Sequence, residues 1–148
     1  MNSPMLPKDL MATIGTAIHS LRDAIPAALG CVVATVDGRL LDHVVSNDAD
    51  PQRIAAMVGA MVALGETIGR EVRIDRAQYV VVHALNGLLL MQRVPSRKQL
   101  LVVATLANPT TNLGIVLHET RNAAQTIGEA LDAWTAMNAA RQAEPRPN

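Results

Sequence analysis

The sequence predicts an α+β fold: a five-stranded, mainly antiparallel sheet with helices on both faces. Hydrophobic periodicity gives the element order helix, strand, strand, helix, strand, strand, strand, helix (α-β-β-α-β-β-β-α). Turn dipeptides at residues 37–38 and 86–87 join neighbouring strands directly, which requires antiparallel pairing. Residues 31–36 and 100–106 are apolar on both alternating faces, so we expect helices to cover both sides of the sheet.

The first helix and the first hairpin occupy the N-terminal third of the chain. Apolar residues recur at three- and four-residue steps through residues 7–23, which predicts a helix that the following proline and glycine end. Residues 31–36 then form a strand, and residues 39–45 form its return strand. Because Asp-Gly favours a two-residue hairpin turn, we predict positive φ at both Asp37 and Gly38.

A second helix is predicted over residues 51–72. Asp50 is its expected N-cap, and Pro51 occupies the first helical position, where its missing N–H costs nothing. Larger apolar residues at helical spacing predict the stripe that faces the core. This stripe consists of Ile54, Met57, Met61, Ile68 and Val72.

The rest of the second helix lacks the polar side that a surface helix normally has. No charged residue stands between Arg53 and Glu66, and a helix that is apolar all round is normally buried all round. The simplest second cover is another copy of the chain, and small residues at Gly59, Ala60 and Ala63 would let two helices approach closely. The alternative is that the first or the last helix covers this side within one chain.

The C-terminal half of the sheet contains three strands, predicted over residues 77–85, 88–94 and 99–106. Asn-Gly at residues 86–87 predicts a second hairpin turn of the same chemistry as the first. The apolar segment 79–82 would invite pairing with a symmetry mate if its strand lay at the edge of the sheet.

The last helix is expected to open at residues 108–110 and to carry an apolar stripe as far as Trp134. Beyond Ala140 the composition turns to Arg, Gln, Glu, Pro and Asn, which cannot bury enough apolar surface to offset the entropy of ordering. We therefore predict a single domain over residues 7–140, a flexible N-terminus over residues 1–6, and a disordered tail over residues 141–148.

Composition excludes nucleic acid as an expected partner. The chain has 13 basic and 13 acidic residues, a net charge of zero, and its 1% aromatic content is Tyr79 and Trp134 alone. A phosphate backbone needs a basic surface, and single-strand binders need several aromatic stacking platforms. Since the chain has no Phe and 49% of it is hydrophobic, its core must consist of Leu, Val, Ile, Met and Ala.

The sequence predicts a cytoplasmic protein without membrane insertion. Cys31 is the only cysteine, so no internal disulfide is possible, which suits a reducing compartment. The longest uncharged apolar run, residues 54–65, is short of the roughly 20 residues that a membrane helix needs. Residues 10–18 are apolar but lack the small-residue cleavage site of a signal peptide.

No motif for catalysis, metal binding or cofactor binding stands in the sequence. Residues 59–67 lack the lysine of a phosphate loop, residues 48–53 lack the glycine of a calcium loop, and Cys31 is interpreted as a small core residue. We therefore predict no catalytic residue, no cofactor and no metal, and a binding module that is not an enzyme. The histidines, which show no metal-ligand spacing, are His19, His43, His83 and His118.

Taken in order, five segments over residues 7–136 resemble the roadblock family, the dynein light chain-like domains that include bacterial gliding-motility partners of small Ras-like GTPases. The resemblance rests on the order and spacing of the segments together. They are Cys31 to Leu41, Asp48-Ala49-Asp50 leading into Ile54-Ala55-Ala56-Met57, Leu64-Gly65-Glu66, Asn86-Gly87 followed by Leu88-Leu89-Leu90, and Asn112-Leu113-Gly114.

The resemblance implies a homodimer in which the strand at residues 78–83 pairs with its mate while the second helix packs against its mate. It further implies a non-enzymatic platform that binds a small Ras-like GTPase, and some bacterial members of the family stimulate GTP hydrolysis without supplying a catalytic side chain. The dimer-interface residues that follow from it are Ala56, Gly59, Ala60, Ala63, Gln78, Tyr79, Val80, Val81, Val82 and His83.

Three alternatives remain at this point. A general scaffold or adaptor domain would use the same surfaces for another protein. An enzyme with an unrecognised site would have one pair worth testing, His83 with Cys31. A small-ligand sensor would need a cavity between sheet and helix. The residues expected around that cavity are Val33, Met57, Leu90 and Val102.

Overall fold

The computed structural model describes residues 6–46, 48–145 and 147. It contains three helices and five strands in the predicted order, and it confirms the α+β fold class. The predicted N-terminal segment 1–6, Leu6 apart, lies outside the described residues. The elements are α1 (Lys8–Ala24), β1 (Ala28–Thr35), β2 (Leu40–Val45), α2 (Pro51–Glu71), β3 (Tyr79–Ala84), β4 (Gly87–Arg93), β5 (Leu101–Ala107) and α3 (Leu113–Ala143).

The five strands form one sheet in the order β2-β1-β5-β4-β3. Every neighbouring pair is antiparallel, and the central pair brings Val33 opposite Val103. The first two strands therefore form a hairpin and the last three form a meander, and the β1–β5 pairing joins the two. This order leaves β2 and β3 as the two edge strands.

Helices cover both faces of the sheet, as predicted. On one face α1 and α3 pack against each other and over a core that includes Ile14, Ile127 and Val33. On the other face α2 lies alone across the sheet and packs over Val32 and Met91. The helices on opposite faces are separated by the sheet, so neither α1 nor α3 covers the outer side of α2.

The turn between β1 and β2 is wider than predicted. Thr35 and Arg39 close a three-residue loop, in which the Gly38 N–H donates to the Thr35 carbonyl at 2.9 Å. Of the two central residues expected to have positive φ, Gly38 has it (φ 91°) and Asp37 does not. The Thr35 hydroxyl binds the Asp37 carboxylate and also accepts from the Arg39 N–H. These side-chain contacts favour a type I turn followed by glycine, a geometry that three-residue hairpin loops share.

The turn between β3 and β4 lies one residue earlier than predicted. Ala84 pairs with Gly87, so the two turn residues are Leu85 and Asn86. Gly87 belongs to β4, and neither turn residue is among those with positive φ in the described chain. The register of the flanking strands, rather than the Asn-Gly dipeptide, therefore places this turn.

The ends of α3 differ from the prediction. The Asn108 side chain accepts hydrogen bonds from the Thr110 N–H and hydroxyl, which holds residues 108–111 in a turn, and the helix begins after its N-cap, Asn112. At the other end α3 continues to Ala143, so the predicted tail starts three residues too early. Arg, Gln and Ala are strong helix formers, and Arg141 also suits the negative end of the helix dipole. Disorder beyond Ala143 stays a prediction.

Candidate functional site

The N-terminus of α2 is fixed as the sequence predicts. The Asp50 side chain accepts a hydrogen bond from the Gln52 N–H at 3.0 Å, and Pro51 stands at the start of the helix. Arg53 lies 3.8 Å from the same carboxylate. The cap determines where the helix begins.

The predicted core stripe of α2 is wrong, because the helix is rotated. Its buried residues are the smaller ones, namely Ala55, Val58, Gly59, Val62 and Gly69. Of the predicted stripe, Ile54 and Met61 are half-buried, while Met57, Ile68 and Val72 are 59%, 52% and 56% exposed. Met57, Ile68 and Val72 thus lie largely in solvent, whereas Ile54 and Met61 pack against the edge of the core.

Small residues face inward because backbone presses against the helix there. A Cβ at Gly59 would lie 2.9 Å from the Gly38 backbone nitrogen, and one at Gly69 would lie 2.0 Å from the Asp75 carbonyl oxygen. Real Cβ atoms do not approach backbone this closely, so α2 can sit so near the two loops only because these positions are glycine. Gly59 therefore serves contacts within the chain and is not available to a second copy.

The outward side of α2 is a continuous apolar surface, here called the α2 face and defined as Met57, Ala60, Leu64 and Ile68. Leu64 is 52% exposed, and Ala56 and Ala63 are exposed beside it. Residues at these spacings share one side of a helix. Exposed apolar side chains that are contiguous mark a site of association more often than scattered ones do.

The edge strand β3 lies next to this surface. Its alternate residues Val80 and Val82 point to the α2 side of the sheet, and Val80 comes within contact range of Gly65. Tyr79 points to the other side, where the Arg121 guanidinium lies 5.9 Å from its ring centroid. Among the predicted interface residues of this segment, Val80 and Val81 are half-buried. Those that are exposed are Gln78, Tyr79, Val82 and His83.

An apolar hollow of about 350 Å³ connects the α2 face with β3. Met57 and Met61 form its helix side, and Leu89 and Val82 form part of its sheet side. The cavity predicted for a ligand sensor does not form, because only Met57 of its four residues borders this hollow. Val33 and Leu90 project from the opposite face of the sheet, since successive residues of a strand alternate between faces.

A polar cluster that the sequence did not predict holds the second half of α2. The Arg93 guanidinium binds the Glu66 carboxylate at 2.6 Å and donates to the Gln99 backbone and side-chain oxygens at 3.2 Å. The Arg76 guanidinium also binds the Gln99 side chain. Glu66 and Arg93 are 27 positions apart, so no local spacing pairs them. Glu66 is the first charged residue after the uncharged stretch of α2, and its carboxylate is neutralised by Arg93.

The pair considered for catalysis is not brought together. Cys31 is buried in β1, whereas His83 is exposed on β3, with β5 and β4 between the two strands. Burial raises the pKa of the Cys31 thiol from 9.0 to about 12, which keeps it protonated and unreactive at neutral pH.

The described part of the chain holds no group of three His, Cys, Asp or Glu side chains arranged to bind a metal. No helix among the described residues combines the length and hydropathy that crossing a membrane requires.

No family model and no curated protein matches the chain, but solved structures do. MglB of Myxococcus xanthus aligns over 88% of this chain and 96% of its own, with a TM-score of 0.77 and 14% identity. A roadblock/LC7 domain from Streptomyces avermitilis aligns over 78% and 95%, with a TM-score of 0.70 and 19% identity. The chain has the roadblock/LC7 fold.

The roadblock fold is also shared with the gliding protein MglB of Thermus thermophilus. That protein aligns over 88% of this chain and 98% of its own, with a TM-score of 0.74 and 15% identity. The match confirms the family resemblance seen in the sequence at the level of fold. Of the surfaces that the resemblance assigned to self-association, β3 is an open edge and α2 presents apolar side chains, with Gly59 as the exception.

Proposed function

We propose that this chain forms a homodimer and that the dimer is a non-enzymatic platform that binds and regulates a small Ras-like GTPase in the bacterial cytoplasm. The observation that carries the proposal is the α2 face, an exposed apolar surface beside an open strand edge in a chain with the fold of MglB. A monomer gains nothing from keeping these side chains in water.

The geometry supports self-association through both features at once. If β3 pairs with its mate around a two-fold axis perpendicular to the sheet, the pairing is antiparallel and the same faces of both sheets lie on one side. The two α2 helices then lie side by side on that face. Each would cover part of the other's apolar surface, and the backbone groups at the β3 edge would gain hydrogen-bond partners.

The proposed GTPase partner follows from the kind of surface that the dimer presents and from the resemblance to gliding-motility proteins. A paired-helix surface is broad and has no cavity lined by reactive groups. It is therefore suited to holding the switch segments of a partner, whose own residues would carry out hydrolysis. An MglB structure of 15% identity has a tetrameric arrangement, which supports association as a use of this fold.

The oligomeric state tests the first half of the proposal. Ala60→Glu places a charge at the centre of the α2 face, where a helix–helix contact would bury it without a partner. In sedimentation velocity we expect the native chain to sediment at twice its 15.8 kDa monomer mass and Ala60→Glu at the monomer mass. Ala133→Glu, on an exposed position of α3, is the matched control and should remain dimeric.

A native chain that sediments as a monomer at tens of micromolar, or an Ala60→Glu variant that stays dimeric, would contradict the proposed interface.

Capture of the partner tests the second half. Immobilised native protein should retain a single-domain P-loop GTPase from extract of the source cells, with retention that differs between GDP and a non-hydrolysable GTP analogue. Ala133→Glu should retain it equally. Eluates that contain no P-loop GTPase in either nucleotide state would contradict the proposed binding of a GTPase. They would not contradict the proposed dimer.

A further inference from the structure

A second surface lies away from the α2 face, at the end of the sheet where α1 begins. It is a groove of about 820 Å³. Four segments enclose it: the start of α1, the β1–β2 loop, the loop before β5, and the C-terminal half of α3. A volume of about 300 to 1,000 Å³ is typical of small-molecule sites. Neither β3 nor α2, the two elements of the proposed dimer interface, contributes a residue to its lining.

The floor of the groove is apolar, and the packing of the core fixes its shape. Leu101 and Leu131 are buried core residues whose outer atoms form its base, and Met11 and Trp134 are half-buried walls. Trp134 is the only tryptophan of the chain. Leu100 stands at the rim and is 44% exposed. An apolar chain laid on this floor would remove these side chains from water.

The rim of the groove is positively charged. Lys8, Arg39 and Lys98 all line it and are exposed, whereas Asp37 is the only acidic residue that does so. Three cations against one carboxylate leave a local charge of 3 − 1 = +2. The ion pairs of the described chain involve none of the three cations. The Asp37 carboxylate accepts the Thr35 hydroxyl and also interacts electrostatically with Arg39, so it offsets part of the positive charge of the rim.

We propose that this groove binds a medium-chain carboxylic acid. The apolar chain would lie on Leu101, Leu131 and Trp134, and the carboxylate would sit among Arg39, Lys98 and Lys8. An apolar floor alone would accept any hydrophobic molecule, and the cationic rim alone any anion. Together they select a molecule with one anionic end and an apolar body, because each part satisfies one half of the site.

Fluorescence of Trp134 tests the proposal directly, since no other tryptophan contributes to the signal. Monomeric sodium decanoate titrated into the full-length protein should change the emission of Trp134 saturably. Decanol and decyltrimethylammonium have the same chain without the anionic head. They should bind about tenfold or more weakly, because they forgo a charge-assisted interaction with the rim.

Two pairs of variants locate the binding. Arg39→Glu should weaken decanoate about tenfold or more, whereas Arg53→Glu, an exposed arginine on α2, should leave it unchanged. Leu100→Asp should weaken it to a similar degree, whereas Leu113→Asp, whose leucine is also 44% exposed, should not. Circular dichroism spectra and melting curves confirm that each variant folds.

The proposal is overturned if decanoate gives no saturable change in Trp134 emission, or if decanol binds as tightly as decanoate. It is also overturned if the control variants weaken binding as much as their partners do. A change of oligomeric state in Arg39→Glu or Leu100→Asp would show that a second copy of the chain occupies the groove, which likewise refutes a ligand site there.

Discussion

At the scale of single residues, glycine sets how closely α2 approaches the rest of the fold. Where the helix crosses the β1–β2 loop, a Cβ at Gly59 would lie 2.9 Å from the Gly38 nitrogen, and a Cβ at Gly38 would lie 3.1 Å from the Ala56 Cα. In the sequence Gly59 looked like part of a small-residue surface for a second helix. Helical spacing shows which residues share a side, but not which side meets the sheet.

Gly59→Ala is expected to destabilise the fold by about 1 to 2 kcal/mol. The new Cβ would lie 2.9 Å from the Gly38 nitrogen, a backbone atom that cannot move aside cheaply. This overpacking outweighs the gain of about 1 kcal/mol in helix propensity. Urea denaturation at fixed protein concentration measures the difference.

Gly65→Ala in the same helix is the control. There the added Cβ would meet side-chain atoms, 3.2 Å from Val80 Cγ2 and 3.4 Å from Ala77 Cβ, and Val80 can adjust. We expect Gly65→Ala to be neutral or mildly stabilising. Equal effects of the two substitutions would contradict the close contact of Gly59 with the loop.

Cys31 illustrates a residue whose role the sequence did predict. The sequence predicts a small core residue, and Cys31 is 1% exposed within β1, where burial raises the pKa of its thiol to about 12. The bridge between Glu66 and Arg93 was beyond prediction. Its partners are on α2 and β4, so only the packing of the helix on the sheet brings the two charges together.

At the scale of elements, α2 is where prediction from periodicity failed. The buried side of a surface helix is normally recognised because the opposite side is polar. The uncharged stretch of α2 has no polar side, so its buried side cannot be recognised in this way. Side-chain size then predicts that the larger residues face the core. The structure instead buries small ones, because the helix lies close to the sheet and the loop, and it leaves Met57 and Ile68 outside.

Substitution of two adjacent residues tests the orientation of α2. Met57 is 59% exposed and Val58 is 1% exposed. In the Ala60→Glu background, which removes association, Met57→Asp should change the free energy of unfolding by no more than about 0.5 kcal/mol. Val58→Asp buries an unpaired charge and should cost about 3 kcal/mol or more, or prevent folding.

Urea denaturation gives both free energies, and far-UV circular dichroism shows whether Val58→Asp folds. A larger effect at Met57 than at Val58 would restore the original assignment of the core stripe.

At the scale of the whole molecule, the sheet order assigns different uses to its two faces. The face under α1 and α3 is closed by two helices, whereas the other carries one helix and ends at the open strand β3. The β1–β2 loop connects the two regions proposed to be functional. Val36 and Asp37 line the groove at Trp134, and the next residue, Gly38, contacts α2.

If the chain unfolds from a dimer, its melting temperature must depend on concentration. Each tenfold increase in protein concentration adds about 1.4 kcal/mol to the stability of the dimer, which should raise the melting temperature by about 2 °C. Differential scanning calorimetry over a hundredfold range measures the slope. Ala60→Glu should show no slope, and a native chain without one would argue for a folded monomer.

The sequence by itself determined the order of the elements, the fold class, the cap of α2 and the apolar excess of that helix. These depend on local propensity and on periodicity, which neighbouring residues carry. The tertiary structure alone decided the rotation of α2, the edge position of β3, the pairing of Glu66 with Arg93, and the groove at Trp134. Each of these depends on contacts between residues far apart in the chain, which only the packing of the elements brings together.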